Sequence, residues 1–247
     1  MKIILIILII LFIYLFYFNN NNEYFNSEYT LYNNFKYSSK LSILDIKNLK
    51  KAQIKMTNLL RNFDKICRKY NLKYWCYDGT LLGVIRHNGW IPYDGDIDIG
   101  MINTDYIKLR KVIQSELPVG MWLQDKTIDP NYKPNICKIR DLNSCYIGYS
   151  DLSHHNGLQL DIFLFEEKNN IIYDIEQKRE FKKNDIYPLK QAKFEDLTVY
   201  IPNNSDIIIK KNIGNNYMKL LPVNKRYPHE SGDLENFGLI KHVLIIK

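Results

Sequence analysis

Aspartates recur at every second position in Tyr93-Asp94-Gly95-Asp96-Ile97-Asp98-Ile99. In an extended backbone, residues two apart project to the same face. Asp96 and Asp98 then point together, and Ile97 and Ile99 anchor the opposite face. Two aligned carboxylates on a rigid strand suit a divalent metal that holds a phosphate. A third carboxylate, Asp161, lies in Gly157-Leu158-Gln159-Leu160-Asp161-Ile162-Phe163-Leu164-Phe165. There Leu158, Leu160, Ile162 and Leu164 share one face, and Gln159, Asp161 and Phe163 share the other. A carboxylate in so apolar a strand must be paired or metal-bound, because burying it alone is costly. If the two strands are neighbours, Asp96, Asp98 and Asp161 converge. They would hold one or two Mg²⁺ or Mn²⁺ ions, orient a nucleotide diphosphate and neutralise its leaving group, and one of them could take the proton of an attacking hydroxyl.

Upstream, Asp78-Gly79-Thr80-Leu81-Leu82-Gly83 reads as a turn before a short helix from Leu81 to Arg86. Backbone N–H groups at such a start cradle phosphate, and Gly79 lets the backbone approach it. Arg86 adds a fork-shaped donor for phosphate oxygens. Blander readings stand beside these. Asp-x-Asp-x-Asp also opens an EF-hand loop, but that loop needs Gly at its sixth position and Glu at its twelfth, where this chain has Ile99 and Asp105. A loop of solvated aspartates explains Ile97 and Ile99 poorly. Taken alone, Gly79-Thr80 is an ordinary tight turn, Arg86 a surface residue, and His87, His154 and His155 structural groups. Cys67, Cys76, Cys137 and Cys145 match no zinc spacing; a site from Cys137, Cys145, His154 and His155 has nothing to fix it, and buried or paired thiols are the better reading.

The elements that must position these groups follow from periodicity. From Leu41 to Tyr70, Met56, Leu59, Leu60, Phe63, Ile66, Cys67 and Tyr70 form one apolar stripe at helical steps, ended by Asn71. Short strands are expected at Tyr74–Tyr77, Asp96–Met101, Met121–Gln124, Cys137–Arg140 and Cys145–Tyr149. A helix is expected from Thr104 or Asp105 through Ser115, and a loop at Asp125–Asn135. A polar, helical stretch should follow Phe165, then a strand at Phe194–Pro202. This alternation indicates an α/β or α+β domain around a mixed sheet.

The chain has 247 residues and a net charge of +7. Its Lys and Arg are dispersed, with no basic block of the kind that tracks nucleic acid, so no nucleic-acid partner is expected. Residues Ile3 to Phe18 hold no polar group stronger than Tyr, and Lys2 precedes them. At 1.5 Å per residue this run is about 24 Å long, just short of a ~30 Å hydrocarbon core. It ends in aromatics without a small-residue cleavage site, which favours an uncleaved, single-pass type II signal anchor. The catalytic part would then be luminal or extracellular, in keeping with the acceptor pattern Asn203-Asn204-Ser205. The expected order is a transmembrane helix at 1–18, a polar stalk at 19–40, a catalytic domain at 41–222 and a tail at 223–247.

The block from Tyr74 to Met101 closely resembles the signature of the LicD/fukutin family. His155 to Phe163 looks like that family's second carboxylate strand, and Tyr187-Pro188-Leu189, Phe194-Glu195-Asp196-Leu197 and Ile201-Pro202 its closing segment; the similarity runs over roughly residues 45 to 222. The resemblance implies a nucleotidyltransferase-like fold, a mixed β-sheet flanked by helices. It also implies transfer of a phosphorylated small group, such as phosphocholine or ribitol phosphate, from a nucleotide diphosphate donor, CDP-linked in family members, to a glycan hydroxyl. Carried over, Asp96, Asp98 and Asp161 hold the Mg²⁺ or Mn²⁺, while Gly79, Thr80, Arg86 and Asp94 face the substrate. Asp78 stands where the family usually has Gly, and Gly95 where it often has a third adjacent Asp. Two other readings compete: a non-catalytic, anchored glycan-binding or structural protein, and a polynucleotide nucleotidyltransferase.

Overall fold

The computed structural model describes residues 35–41, 43–132, 134–144 and 157–228. Helix α1 (Ile43–Lys69) comes first, followed by strand β1 (Trp75–Cys76) and helix α2 (Asp78–His87). Strand β2 (Ile97–Ile102), helix α3 (Asn103–Glu116), strand β3 (Met121–Gln124) and strand β4 (Cys137–Asp141) come next. The long β5 (Gln159–Lys168) leads into β6 (Ile171–Asp174), β7 (Glu180–Lys182) and the short α4 (Lys183–Ile186). A separate hairpin of β8 (Lys190–Phe194) and β9 (Leu197–Ile201) precedes α5 (Ser205–Asn212). The main sheet runs β1-β2-β5-β4-β3, with β6 on β5 and β7 on β6.

Only the β2–β5 pair is parallel among these; β1–β2, β3–β4, β4–β5, β5–β6 and β6–β7 are antiparallel. The crossover from β2 to β5 places the two acidic strands side by side. Their alternation then separates two faces. Ile97, Ile99, Met101, Leu160 and Ile162 are fully buried on one. Asp98, Gly100, Asp161 and Phe163 lie on the other, Asp98 opposite Asp161 and Gly100 opposite Phe163. Behind the acids sits an aromatic floor: Tyr77 packs edge-on to Phe163 and Phe165 at 5.4 and 5.1 Å, and Trp75 lies 5.0 Å from Phe165. Helix α1 buries Met56, Leu59, Leu60, Phe63 and Cys67 and packs on β4 and β5, as its stripe requires. Asn71, at φ 52, ends it in the left-handed conformation that asparagine tolerates.

Several expectations need correction. The expected fold class joined the α/β domain to an N-terminal transmembrane helix; among the described residues, no helix is long and apolar enough to cross a membrane. At 27 residues α1 has the length, but Lys47, Lys50, Lys51, Lys55 and Arg61 occupy positions between those of its apolar stripe, and that is the composition of a core-facing helix. Residues 3–18, on which the anchor was placed, lie outside the described residues, as does Cys145–Tyr149. The stretch after Phe165 is not helical. Asn169 and Asn170 both adopt positive φ, 51 and 62°, so they form a tight turn that sends Ile171–Asp174 back along β5. Lys190–Ile201 is a hairpin turned at Glu195 (φ 53°), not one strand from Phe194.

Candidate active site

Asp96, Asp98 and Asp161 meet at the end of the β2–β5 pair, each offering an oxygen, with these oxygens all within 4.8 Å of one another. Asp98 and Asp161 are buried and Asp96 is half-buried. The loop before β2 adds Asp94. It is buried, its Oδ1 accepts the Gly95 N–H at 3.2 Å, and its carbonyl accepts from Gln53 Nε2 of α1 at 2.8 Å. Burial, and after it the charge of Asp96, pushes the Asp94 and Asp98 carboxyls well above the usual carboxylate range. Hard oxygen donors gathered this closely fit a divalent cation such as Mg²⁺ or Mn²⁺.

Helix α2 carries the second part. Gly79 stands against the acids: a Cβ there would lie 3.0 Å from Asp94 Oδ2 and 3.6 Å from Asp98 Oδ2. Thr80 is buried, and its Oγ1 accepts the Asp98 N–H at 2.8 Å. It therefore positions the strand that carries Asp98 and does not line the cavity. Thr80→Val leaves that buried N–H unpaired. We expect a loss of about 1–3 kcal/mol in chemical denaturation, together with weaker Mn²⁺ binding; a variant as stable as wild type would count against the tether.

A cavity of about 970 Å³ opens above the acids. Gly79, Arg86, Tyr93, Asp94, Asp96 and Asp98 line it, together with Arg179, Asn212, Tyr217, Lys219, Lys225 and Tyr227 from later in the chain. Arg86 is held at the rim. Its Nη1 donates to the Tyr217 carbonyl at 2.6 Å and its Nε to His87 Nε2 at 2.9 Å. Burial and the adjacent Arg86 charge push His87 down to about 4, so it stays neutral and can accept that bond. Asp78, at φ 35°, occupies a conformation that glycine adopts without cost. Its carboxylate is satisfied by Asn212 Nδ2 at 2.7 Å and by Gln177 Nε2, with Arg179 Nη1 3.6 Å away.

A model of the LicD/FKTN/FKRP nucleotidyltransferase domain matches residues 71–204. The chain belongs to the LicD/FKTN/FKRP family. It is 31% identical to an uncharacterized protein of Rickettsia prowazekii over 72% of this chain and 56% of that protein. It is 29% identical to the lipopolysaccharide cholinephosphotransferase LicD of Haemophilus influenzae, over 53% of this chain and 50% of that protein. The human ribitol 5-phosphate transferase FKRP matches at 23% over 64% and 30%. The chain thus spans about half the length of the first two of these relatives. The LicD/FKTN/FKRP match contains every acidic residue of the site, whereas the cavity wall from Asn212 to Tyr227 lies beyond it.

Sequence reasoning missed Lys138, Arg179 and Asn212. Lys138 carried a signal, a cation alternating with apolar residues in Cys137-Lys138-Ile139-Arg140, but Arg179 and Asn212 reach the site only through the β6–β7 turn and the unforeseen α5. Cys67, Cys76 and Cys137 are free, buried thiols.

The raised carboxyls have a sign that can be tested. A carboxyl that holds its proton more tightly in the fold than in the unfolded chain loses stability as pH rises through the window from about 3.8 to its raised value. Protons and metal compete for the same oxygens, so the Mn²⁺-induced rise in Tm should grow as pH goes from about 4 to neutral. His87 titrates in the opposite sense but equally with and without metal, and cancels from the difference. A shift that is flat with pH would contradict this.

Proposed function

We propose that the chain is a metal-dependent phosphotransferase. It would move a phosphorylated small group from a nucleoside diphosphate donor, CDP-linked by analogy with its family, to a glycan hydroxyl. The observation that carries this reading is the meeting of Asp96, Asp98 and Asp161, the first two of which line a cavity that Arg86, Arg179, Lys219 and Lys225 also line. The named activities of LicD and FKRP, cholinephosphotransferase and ribitol 5-phosphate transferase, support the reaction class. Asp96, Asp98 and Asp161 would hold Mg²⁺ or Mn²⁺, which supplies charge neutralisation of the diphosphate.

The remaining work falls to the chain's own groups. Arg86, Arg179, Lys219 and Lys225, which line the cavity, present cations to the diphosphate oxygens. Gly79 leaves room for those oxygens close to the acids. The acceptor hydroxyl attacks the phosphorus bearing the small group, the bond to the nucleoside monophosphate breaks, and that monophosphate leaves. Asp94, buried beside the acids, would accept the hydroxyl proton in its ionised form, which a cation held by the neighbouring aspartates would favour. Tyr93, Tyr217 and Tyr227 offer faces for the base or the sugar.

A thermal-shift panel of CDP-choline, CDP-ribitol, CDP-glycerol and GDP-mannose, with and without Mn²⁺, tests this reading. The expected result is a shift with one CDP-linked donor that requires Mn²⁺. No shift with any nucleotide in either condition would sink the proposal and leave a non-catalytic domain.

A further inference from the structure

Strand β4 sets Lys138 directly across from Asp161 in the β4–β5 ladder. Its Nζ lies 2.6 Å from both Asp161 oxygens, and the two side chains are only 11% and 7% exposed. Asp161 is also the carboxylate that completes the acidic group with Asp96 and Asp98. The same two oxygens therefore face two claimants. One is an ammonium built into the sheet; the other is the divalent cation on which the proposed function rests.

We infer that Lys138 is a resident competitor for the metal, a counter-ion that secures Asp161 in the metal-free protein and lowers metal affinity because it must yield an oxygen when the metal binds. The argument is electrostatic and geometric. Without a cation on Asp161, that carboxylate would add a further negative charge beside Asp94, Asp96 and Asp98, and a buried charge stripped of its partner is strongly destabilising. A metal needs an Asp161 oxygen at roughly 2.0–2.6 Å, on the same atoms the ammonium occupies. Two cations sharing a buried carboxylate repel each other with little solvent to screen them. A lysine suits this role, because its ammonium is a compact charge on a flexible stem that can swing off. Gln159 Nε2, 3.2 Å from Asp161 Oδ2, is a neutral partner that can stay when the lysine yields.

The test is Mn²⁺ calorimetry together with metal-free thermal denaturation of wild type, Lys138→Gln and Lys138→Arg. Lys138→Gln should bind Mn²⁺ about tenfold tighter or more, equivalent to about 1.4 kcal/mol. Its metal-free Tm should fall, and added Mn²⁺ should restore it. Lys138→Arg keeps the charge and should stay close to wild type in metal affinity. If Lys138→Gln will not fold without metal, the double variant Lys138→Gln/Asp161→Asn should recover metal-free stability, because neither charge remains. Measurable Mn²⁺ binding by wild type with equal or weaker binding by Lys138→Gln overturns this inference while leaving the proposed function standing. No Mn²⁺ binding by wild type overturns both.

Discussion

Asp98→Asn should abolish group transfer while raising the metal-free melting temperature. The two effects have one cause. Asp98 is buried among Asp96, Asp161, Asp78 and Asp94, and burial followed by these like charges makes its ionised form costly. At neutral pH the wild-type protein carries that cost, and an uncharged amide of nearly the same shape removes it. Each 1 kcal/mol recovered should raise Tm by about 2–4 °C in a domain of this size. The same change takes one of three oxygen donors from the metal site. A loss of about 10³-fold or more in transfer rate is expected, equivalent to about 4 kcal/mol of transition-state stabilisation, together with loss of the Mn²⁺-induced shift. Asp96→Asn should lose activity equally but gain less stability, because Asp96 is only half-buried. Activity assays and denaturation in EDTA on the same preparations read both signs. Wild-type turnover in either variant would end the metal reading. A folded, inactive Asp98→Asn with lowered metal-free Tm would instead make Asp98 a structural acid.

What the sequence disclosed about this site depends on how local each relation is. The spacing of Asp96 and Asp98 and the alternation around Asp161 are consequences of the two-residue repeat of a strand, so both could be read directly. That β2 and β5 pair in parallel, Asp98 beside Asp161, is a long-range fact that spacing leaves open; it was stated only as a condition. Thr80 illustrates a different limit. Its type suited a phosphate contact, but the antiparallel seating of β1 on β2 brings the start of α2 against β2, where its hydroxyl is taken by the Asp98 N–H. The stretch after Phe165 misled because its Glu, Lys and Asn content reads as a polar helix, while the chain reversal is decided by two asparagines at positive φ. The expected membrane span falls on residues 3–18, outside the described residues, and the long helix the structure does describe is a charged, one-sided one. The alternation around Lys138 marks a cation on a strand, but its pairing with Asp161 is set by strand register, which no local pattern encodes, and Arg179 reaches Asp78 from the β6–β7 turn.

Gly100→Ala should be the most damaging single-methyl change in the fold, and the damage should reach the active site. Gly100 lies two residues beyond Asp98 on the same face of β2 and pairs with Trp75 across β1. A Cβ at Gly100 would fall 2.4, 2.5 and 2.8 Å from the Nε1, Cε2 and Cζ2 atoms of the Trp75 ring. These are rigid ring atoms of a fully buried side chain, braced by Phe165 at 5.0 Å and Tyr187 at 6.1 Å. The ring has no free volume to enter, so the strain passes into the β1–β2 pairing and from there to the Tyr77 N–H bond to the Asp98 carbonyl at 3.0 Å. Overpacking of this kind costs about 1–3 kcal/mol, and loss of the β1 contact would add to it. Tm should fall by about 2–4 °C for each kcal/mol, with Mn²⁺ affinity falling alongside. Trp75→Phe, which removes the clashing part of the indole, should relieve the defect. In the double variant the two costs should then sum to less than the singles together. Full additivity would mean that the methyl and the indole never meet, and that Gly100 is not what makes room for the Trp75 ring beside the acids.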